Sequence, residues 1–186
     1  MIERWIHNKL RTNIGLKRYN HSIGVMNVSI ELARYYGSSI EKAALAGLLH
    51  DCGKLQGEKD LLKVANDFDI ILDNVMKSNK ELIHGVLGGI LAKKEYNVVD
   101  EDILNAIRYH TTGRENMSLL EKIVYIADVI EPSRSFKGVE KIRKLTYKDI
   151  NKGILYSMDS TIKLIVDRGK PIHLDTIRAR NQLIIL

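Results

Sequence analysis

Cysteine occurs once and proline twice in 186 residues. The lone Cys52 cannot close an internal disulfide, which excludes the stapled folds of small secreted domains and points to a reducing compartment. No uncharged apolar run approaches the roughly 18 residues that a membrane span needs. The start of the chain, MIERWIHNKL, carries scattered charges and lacks the apolar core of a signal peptide. A cytoplasmic location with no membrane partner is therefore expected. Repeats, low-complexity segments and long linkers are also absent. One domain spanning residues 1–186 follows, at a length that can bury a core without staples.

What is present is helical periodicity. With Pro132 and Pro171 as the only prolines and little apolar alternation, the chain reads as all-α. His21, Val25, Val28 and Leu32 recur at helical spacing within Asn20–Tyr36; Gly37 then ends that helix, and Ser38 or Ser39 can cap the next, Ile40 to His50. Further helices are expected over Ser78–Tyr96, Glu101–His110, Ser118–Ile130, Tyr147–Asp167 and from Asp175 onward. Gln56–Asn74 gives the weakest pattern. Its acidic run DFDIILDN lacks the glycine and final glutamate of a calcium loop.

The formal net charge is +6, which suits a solvated basic surface, a small phosphorylated ligand or a nucleic acid. No nucleic-acid-binding motif is legible, so nucleic acid is not expected.

Six histidines are present. Four of them, His21, His50, His84 and His110, fall on apolar faces of separate helical segments. One such histidine is ordinarily a hydrogen-bonded core residue. Four together suggest a shared site, because burying unpaired imidazoles costs free energy and a metal removes that cost. Asp51 adjoins His50 in GLLHDCGK, where Gly53 lets the chain turn. Asp128 interrupts the apolar run KIVYIADVIEP. Mixed imidazole and carboxylate donors suit iron, manganese, cobalt or zinc better than calcium or magnesium.

His21, His50-Asp51 and Asp128 in this order resemble the H…HD…D pattern of the HD-domain metal-dependent phosphohydrolases, an all-α helical bundle. The extra His84 and His110 resemble the subgroup that holds two metals. AALAGLLHDCGK, IRYHTTGRENMSLLEKIVYIADVIEPSR and IHLDTIRARN resemble the bacterial YqeK-type family, and the likeness runs from about Tyr19 to Asn181. That resemblance implies a symmetrical diadenosine tetraphosphate hydrolase that binds iron, with manganese or cobalt as substitutes, and releases two ADP. The chain departs from the family's pattern at Leu174, where a proline is more usual.

Under this reading His21, His50, Asp51 and Asp128 hold one ion, and His84 and His110 a second, with Asp51 bridging. His84 and His110 are alternatively substrate ligands. Lys54, one turn past His50-Asp51, and Arg134, in EPSR, are expected to contact phosphate and stabilise charge; Arg18 and Thr111 are further contacts, and Arg114 a weaker one. Lys170, Ile172, His173 and Asp175 border the nucleotide by resemblance, although Asp175 can equally be a plain N-cap. His7 reads as packing. The ligand is a dinucleoside polyphosphate or nucleoside diphosphate. The competing readings are an HD nucleotidase or phosphodiesterase on another nucleotide, a non-catalytic nucleotide-sensing or RNA-associated module, and a structural metal protein.

Overall fold

The computed structural model describes residues 2–55 and 72–185. Among these it contains ten α-helices and no strand: α1 Arg4–Ile14, α2 Leu16–Tyr36, α3 Ile40–Leu49, α4 Asn74–Ser78, α5 Ile83–Glu95, α6 Glu101–Tyr109, α7 Leu119–Ile130, α8 Val139–Lys148, α9 Ile150–Asp167 and α10 Leu174–Ile185. A single 3-10 turn, Lys80–Leu82, leads into α5. The all-α expectation holds. Most of the acidic run Asp67–Asn74 lies outside the described residues.

Local chemistry sets the helix ends. Gly37 takes the left-handed conformation (φ 75°) that closes α2. Ser39 accepts from the Lys42 amide to open α3, and Asp100 accepts from the amides of Asp102 and Ile103 to open α6. Ser118 and Glu121 form a reciprocal capping box at the start of α7. Arg114, a weaker phosphate candidate, instead donates from Nε to Glu121 Oε1 at 2.8 Å and so braces that box.

α7 is the axis of the bundle. It packs against α2, α3, α6, α8 and α9. Leu120, Ile123, Val124, Ile126, Ala127 and Ile130 are all buried along it, each large side chain stabilising by about 1.5–3 kcal/mol. The last turn of this helix delivers Asp128 to the place where α2 and α3 also end their buried faces.

Two expectations are corrected. The predicted helix Tyr147–Asp167 is interrupted: Asp149 is extended (φ −165°) and its carboxylate caps α9 by accepting from the amides of Asn151 and Lys152. A short polar side chain that bonds the backbone ahead of it competes with the helix it would otherwise continue. Asp175 is not the N-cap of the last helix. Leu174 begins that helix, and His173 Nδ1 accepts from the Asp175 amide at 3.2 Å.

Gly53 also has a different role from the one expected. It does not adopt a positive φ. A Cβ there would instead lie 2.1 Å from the carbonyl oxygen of His84 and 2.8 Å from the amide nitrogen of Gly88. The turn after α3 is pressed onto the backbone of α5, and Cys52 Sγ donates to the Gly88 carbonyl there at 3.3 Å. Gly53→Ala should therefore separate His50-Asp51 from His84. We expect a loss of roughly 1–3 kcal/mol of stability, the cost typical of overpacking, read as a lower thermal midpoint together with lower metal content.

Candidate metal centre

Three imidazoles are oriented by the backbone of their own chain segment. His50 follows the last turn of α3 and its Nδ1 lies 2.8 Å from the Gly47 carbonyl. His110 follows α6 in the same way, with Nδ1 2.7 Å from the Ile107 carbonyl. His84, in the first turn of α5, directs Nδ1 at the Glu81 carbonyl. A carbonyl accepts only, so each Nδ1 carries the proton and each Nε2 presents a lone pair. His21 on α2 is held by carboxylates, with Nδ1 3.1 Å from Glu131 Oε1 and Nε2 2.9 Å from Asp128 Oδ1.

These nitrogens converge with two carboxylates. His84 Nε2 lies 3.0 Å from His110 Nε2, so two lone pairs face one another. Asp51 Oδ1 is 3.3 Å from the first and 3.6 Å from the second. His50 Nε2 is 3.7 Å from both Asp51 Oδ2 and Asp128 Oδ1. Among the described residues, buried His50 Nε2 has no hydrogen-bond partner, and Asp51 Oδ1 has only the Lys54 ammonium as an ion-pair neighbour. Unsatisfied buried acceptors are costly, and a cation shared among them removes the cost. Three overlapping groups have ligand atoms within 4.8 Å of one another: His21, His50 and Asp51; His50, His110 and Asp128; Asp51, His84 and His110. The donor set fits a divalent transition metal, and Asp51 belongs to two of the groups.

Electrostatics favour the ligating forms. Burial, assisted by the neighbouring imidazoles and opposed by Asp51 and Asp128, pushes His50 down from 6.5 to about 4. His84 is lowered too, chiefly by burial. Burial works to raise Asp51 and Asp128, but the surrounding imidazoles, with Lys54 beside the first and Arg134 beside the second, outweigh it and hold both below the ordinary carboxylate range.

The wall of this cluster is a cleft of about 740 Å³ that includes Lys17, Arg18, His21, Asp51, Lys54 and Arg134 in its lining. Lys54 Nζ is 3.1 Å from Asp51 Oδ1, and Arg134 Nη2 is 2.5 Å from Asp128 Oδ1. Thr111 Oγ1 lies 3.3 Å from His84 Nε2 and 3.2 Å from His110 Nε2. Arg18 is exposed at the rim. Lys170, Ile172, His173 and Asp175 do not line the cleft. They open α10, where buried His173 places Nε2 3.0 Å from Asp73 Oδ2. His7 packs on Tyr19, its Nδ1 3.1 Å from the phenol oxygen.

Sequence reasoning missed Glu131 and Arg143. Glu131 is buried, and its two oxygens take His21 Nδ1, the Ser133 amide and the Ser133 hydroxyl. It stands three residues past Asp128, hence one helical turn on, and that spacing was the available signal. Arg143, on α8, donates from Nε to the Ile130 carbonyl and from Nη2 to the carbonyls of Glu131 and Arg134. It pins the turn that carries three site residues.

An HD domain model matches residues 18–133. The chain is 41% identical over 168 residues to "Bis(5'-nucleosyl)-tetraphosphatase, symmetrical" of Halalkalibacterium halodurans, covering 90% of this chain and 89% of that one. It is 40% identical over 167 residues to the protein of the same description in Bacillus subtilis, with the same coverage. A crystal structure of a predicted HD superfamily hydrolase involved in NAD metabolism from Clostridium acetobutylicum superposes with a TM-score of 0.93. It shares 49% identity, over 97% of this chain and 96% of that one.

Two outcomes test the centre. Because the folded-state pKa of His50 is depressed, between about 6.5 and about 4 only the unfolded chain binds its proton. The metal-free protein should therefore lose stability as pH falls through that window, by at most about 3 kcal/mol from His50; His21, shifted the other way, changes nothing there. Denaturant midpoints at pH 6.5 and pH 4.5 check this. Glu131→Gln should weaken metal affinity by about 10–100-fold, as loss of an outer partner of a ligating histidine does, with the far-ultraviolet circular dichroism unchanged.

Proposed function

The chain belongs to the HD-domain family, and from that premise we propose that it hydrolyses diadenosine tetraphosphate symmetrically to two ADP, at a metal centre held by His21, His50, Asp51, His84, His110 and Asp128. The observation that supports this most is the convergence of backbone-fixed Nε2 atoms with the buried Asp51 and half-buried Asp128 carboxylates at the wall of a cleft bearing Lys17, Arg18, Lys54 and Arg134. The name shared by the two relatives at 40% identity or more supplies the substrate. The whole chain acts as one domain, and the lone cysteine accords with a cytoplasmic setting.

Iron is the metal we assign to this donor set, with manganese or cobalt as substitutes. When bound, such ions neutralise phosphate charge and lower the pKa of a coordinated water. The chain's own residues do the rest. Asp51, His50 and His110 each belong to two ligand groups, and of these Asp51 alone has two donor oxygens, so it would be the residue to serve both ions. Lys54 and Arg134 rest on Asp51 and Asp128; with those carboxylates engaged by cations, the ammonium and the guanidinium face the phosphate chain. Arg134 offers a planar fork to phosphate oxygens, whereas Lys54 acts as a point charge. Arg18 extends the positive rim. The Thr111 hydroxyl, beside the Nε2 atoms of His84 and His110, would be free to meet a phosphate oxygen once those nitrogens hold an ion. Positioning and charge stabilisation account for most of catalysis in phosphoryl chemistry, so these placements are the mechanism's main content.

A metal-stripped and reconstituted sample assayed on a nucleotide panel tests the reading. NAD belongs in the panel because of the description of the Clostridium structure. The expected outcome is ADP as sole nucleotide product from diadenosine tetraphosphate, abolished by chelator and restored by iron, manganese or cobalt. ATP plus AMP would refute symmetrical cleavage. His84→Ala or His110→Ala should lower metal content from two ions toward one; a full complement in both variants would make these histidines substrate ligands instead. Lys54→Ala and Arg134→Ala should lower kcat/KM with metal content unchanged.

A further inference from the structure

The charge of the chain is not spread evenly. Lys137 to Lys152 holds six Lys or Arg against two Asp or Glu, a surplus of four within a total of +6. The fold sorts these charges by direction. Arg143 turns inward onto the carbonyls of Ile130, Glu131 and Arg134. Val139, Ile142 and Thr146 form the buried side of α8. Lys141, Lys144 and Lys148 recur at i, i+3 and i+7, so they share an arc of about 60° on the outer side, and all three are exposed. Exposed Lys137 precedes Lys141 by four residues and lines a pocket together with Arg134 and Asp128. A single basic stripe thus runs from the edge of the metal centre along the outer face of α8.

The fold leaves this stripe unneutralised. Among the described residues, none of the four lysines has a carboxylate within ion-pair distance. Nearby acids are engaged elsewhere: Glu140 accepts from Arg143, Asp149 from the amides that open α9, and Glu31 from the Tyr147 hydroxyl. Like charges one turn apart destabilise a helix, and an anionic partner removes that cost. Aromatic rings flank the lysines. The Lys141 ammonium lies 4.3 Å from the centroid of the Tyr156 ring. At the other end Tyr35 is 60% exposed. Its hydroxyl donates at 2.8 Å to the Tyr147 carbonyl, which leads into Lys148, and its ring meets Tyr36 and Tyr147 edge-on. Tyr35 is therefore a flat surface already fixed in place, and it loses little entropy on stacking.

A row of phosphates carrying flat bases matches both features. We propose that the outer face of α8 binds single-stranded nucleic acid, with phosphates on Lys137, Lys141, Lys144 and Lys148 and bases stacked on Tyr35 and against Tyr156. Contacts to phosphates and base faces read no sequence, so no recognition motif is needed. A lipid surface fits less well, because the apolar side of α8 lies in the core and leaves nothing to insert among acyl chains. An acidic protein surface supplies charge but no flat faces for the exposed ring. The proposal is independent of which nucleotide the metal centre cleaves.

Anisotropy of a labelled single strand of about 12 nucleotides, a length typical of such sites, tests this on the full chain over a range of salt. Affinity for single strands falls with log salt at a slope of about −0.7 per phosphate neutralised. Replacing three lysines together, Lys141→Ala, Lys144→Ala and Lys148→Ala, should therefore flatten the slope by roughly two. The thermal midpoint of that variant should not fall, since neighbouring like charges are removed. Tyr35→Ala should weaken binding roughly 5- to 150-fold, the worth of one stacked base, with the slope unchanged. RNA and DNA strands should both bind, and a duplex of equal length more weakly, because its bases are already stacked inside. No binding by the wild-type chain at low salt, an unchanged slope in the triple variant, or an unchanged affinity in Tyr35→Ala overturns the proposal. So does equal affinity for the duplex or for polyglutamate, which would make the stripe a general polyanion surface. Binding to phosphatidylserine vesicles but not to the oligonucleotide would assign the face to a membrane instead.

Discussion

Everything at this site depends on which ring nitrogen carries the proton. A histidine at a helix end has a choice of tautomers, and here the helix makes it. The last four carbonyls of an α-helix lack intrahelical partners. His50 and His110 follow α3 and α6 directly, and each satisfies one of those carbonyls with its own Nδ1–H. The interaction completes the helix terminus and fixes the imidazole in one act. Nε2 is left as an acceptor aimed away from the backbone, into the space where Asp51, His84 and Asp128 also point. The helix ends and the ligand geometry are therefore one structural device, and losing the cap would turn the ring.

That device imposes a constraint on the rest of the bundle. Acceptors that face one another, such as the Nε2 pair of His84 and His110 at 3.0 Å, repel unless a cation lies among them. The core must hold them in place against that repulsion. It does so with close backbone contact and with buried apolar mass. The His50-Asp51 turn sits on α5 at a distance that only glycine permits at position 53. α7 is gripped by five other helices before it presents Asp128. Arg143 then secures the turn beyond, occupying carbonyls at the C-terminal end of α7 where a cation is favoured. Rigidity near the site is concentrated where the unsatisfied acceptors are.

The six ligand candidates were legible in the sequence because each violates the pattern around it. A histidine on the Val25–Leu32 face, or an aspartate within IVYIADVI, is costly unless something pairs with it. Glu131 and Arg143 were not legible. Arg143 lies among charged residues on a segment that looks solvated, and Glu131 shows only its one-turn spacing from Asp128; the partners of both come together only when α2, α7 and α8 meet. Glu131 pairs with a residue 110 positions away, and no local period encodes that. The break at Asp149 escaped for the opposite reason: apolar spacing continues across it, and a single extended residue with a capping carboxylate outweighs the periodicity. Gly53 was singled out correctly and explained wrongly, since crowding from another helix leaves no mark on the residue's own neighbours in sequence. Helices α1 and α8 went unanticipated; the residues of α1 had been read for targeting signals and for the packing of His7.

The distribution of charge completes the picture. A net charge of +6 would ordinarily describe a surface. At this site, however, three carboxylates, Asp51, Asp128 and Glu131, stand next to the cleft that would receive a tetra-anionic phosphate chain. Left alone they would repel it. Lys54 and Arg134 mask two of them, and His21 with Ser133 occupies the third. Cations among the ligands would change that balance, because the same carboxylates would then have stronger partners. Lys54 and Arg134 would be left with more of their charge to present to the cleft. The acidic residues and the basic ones are therefore parts of a single electrostatic arrangement, in which the field met by an incoming anion depends on whether the histidine cluster is filled.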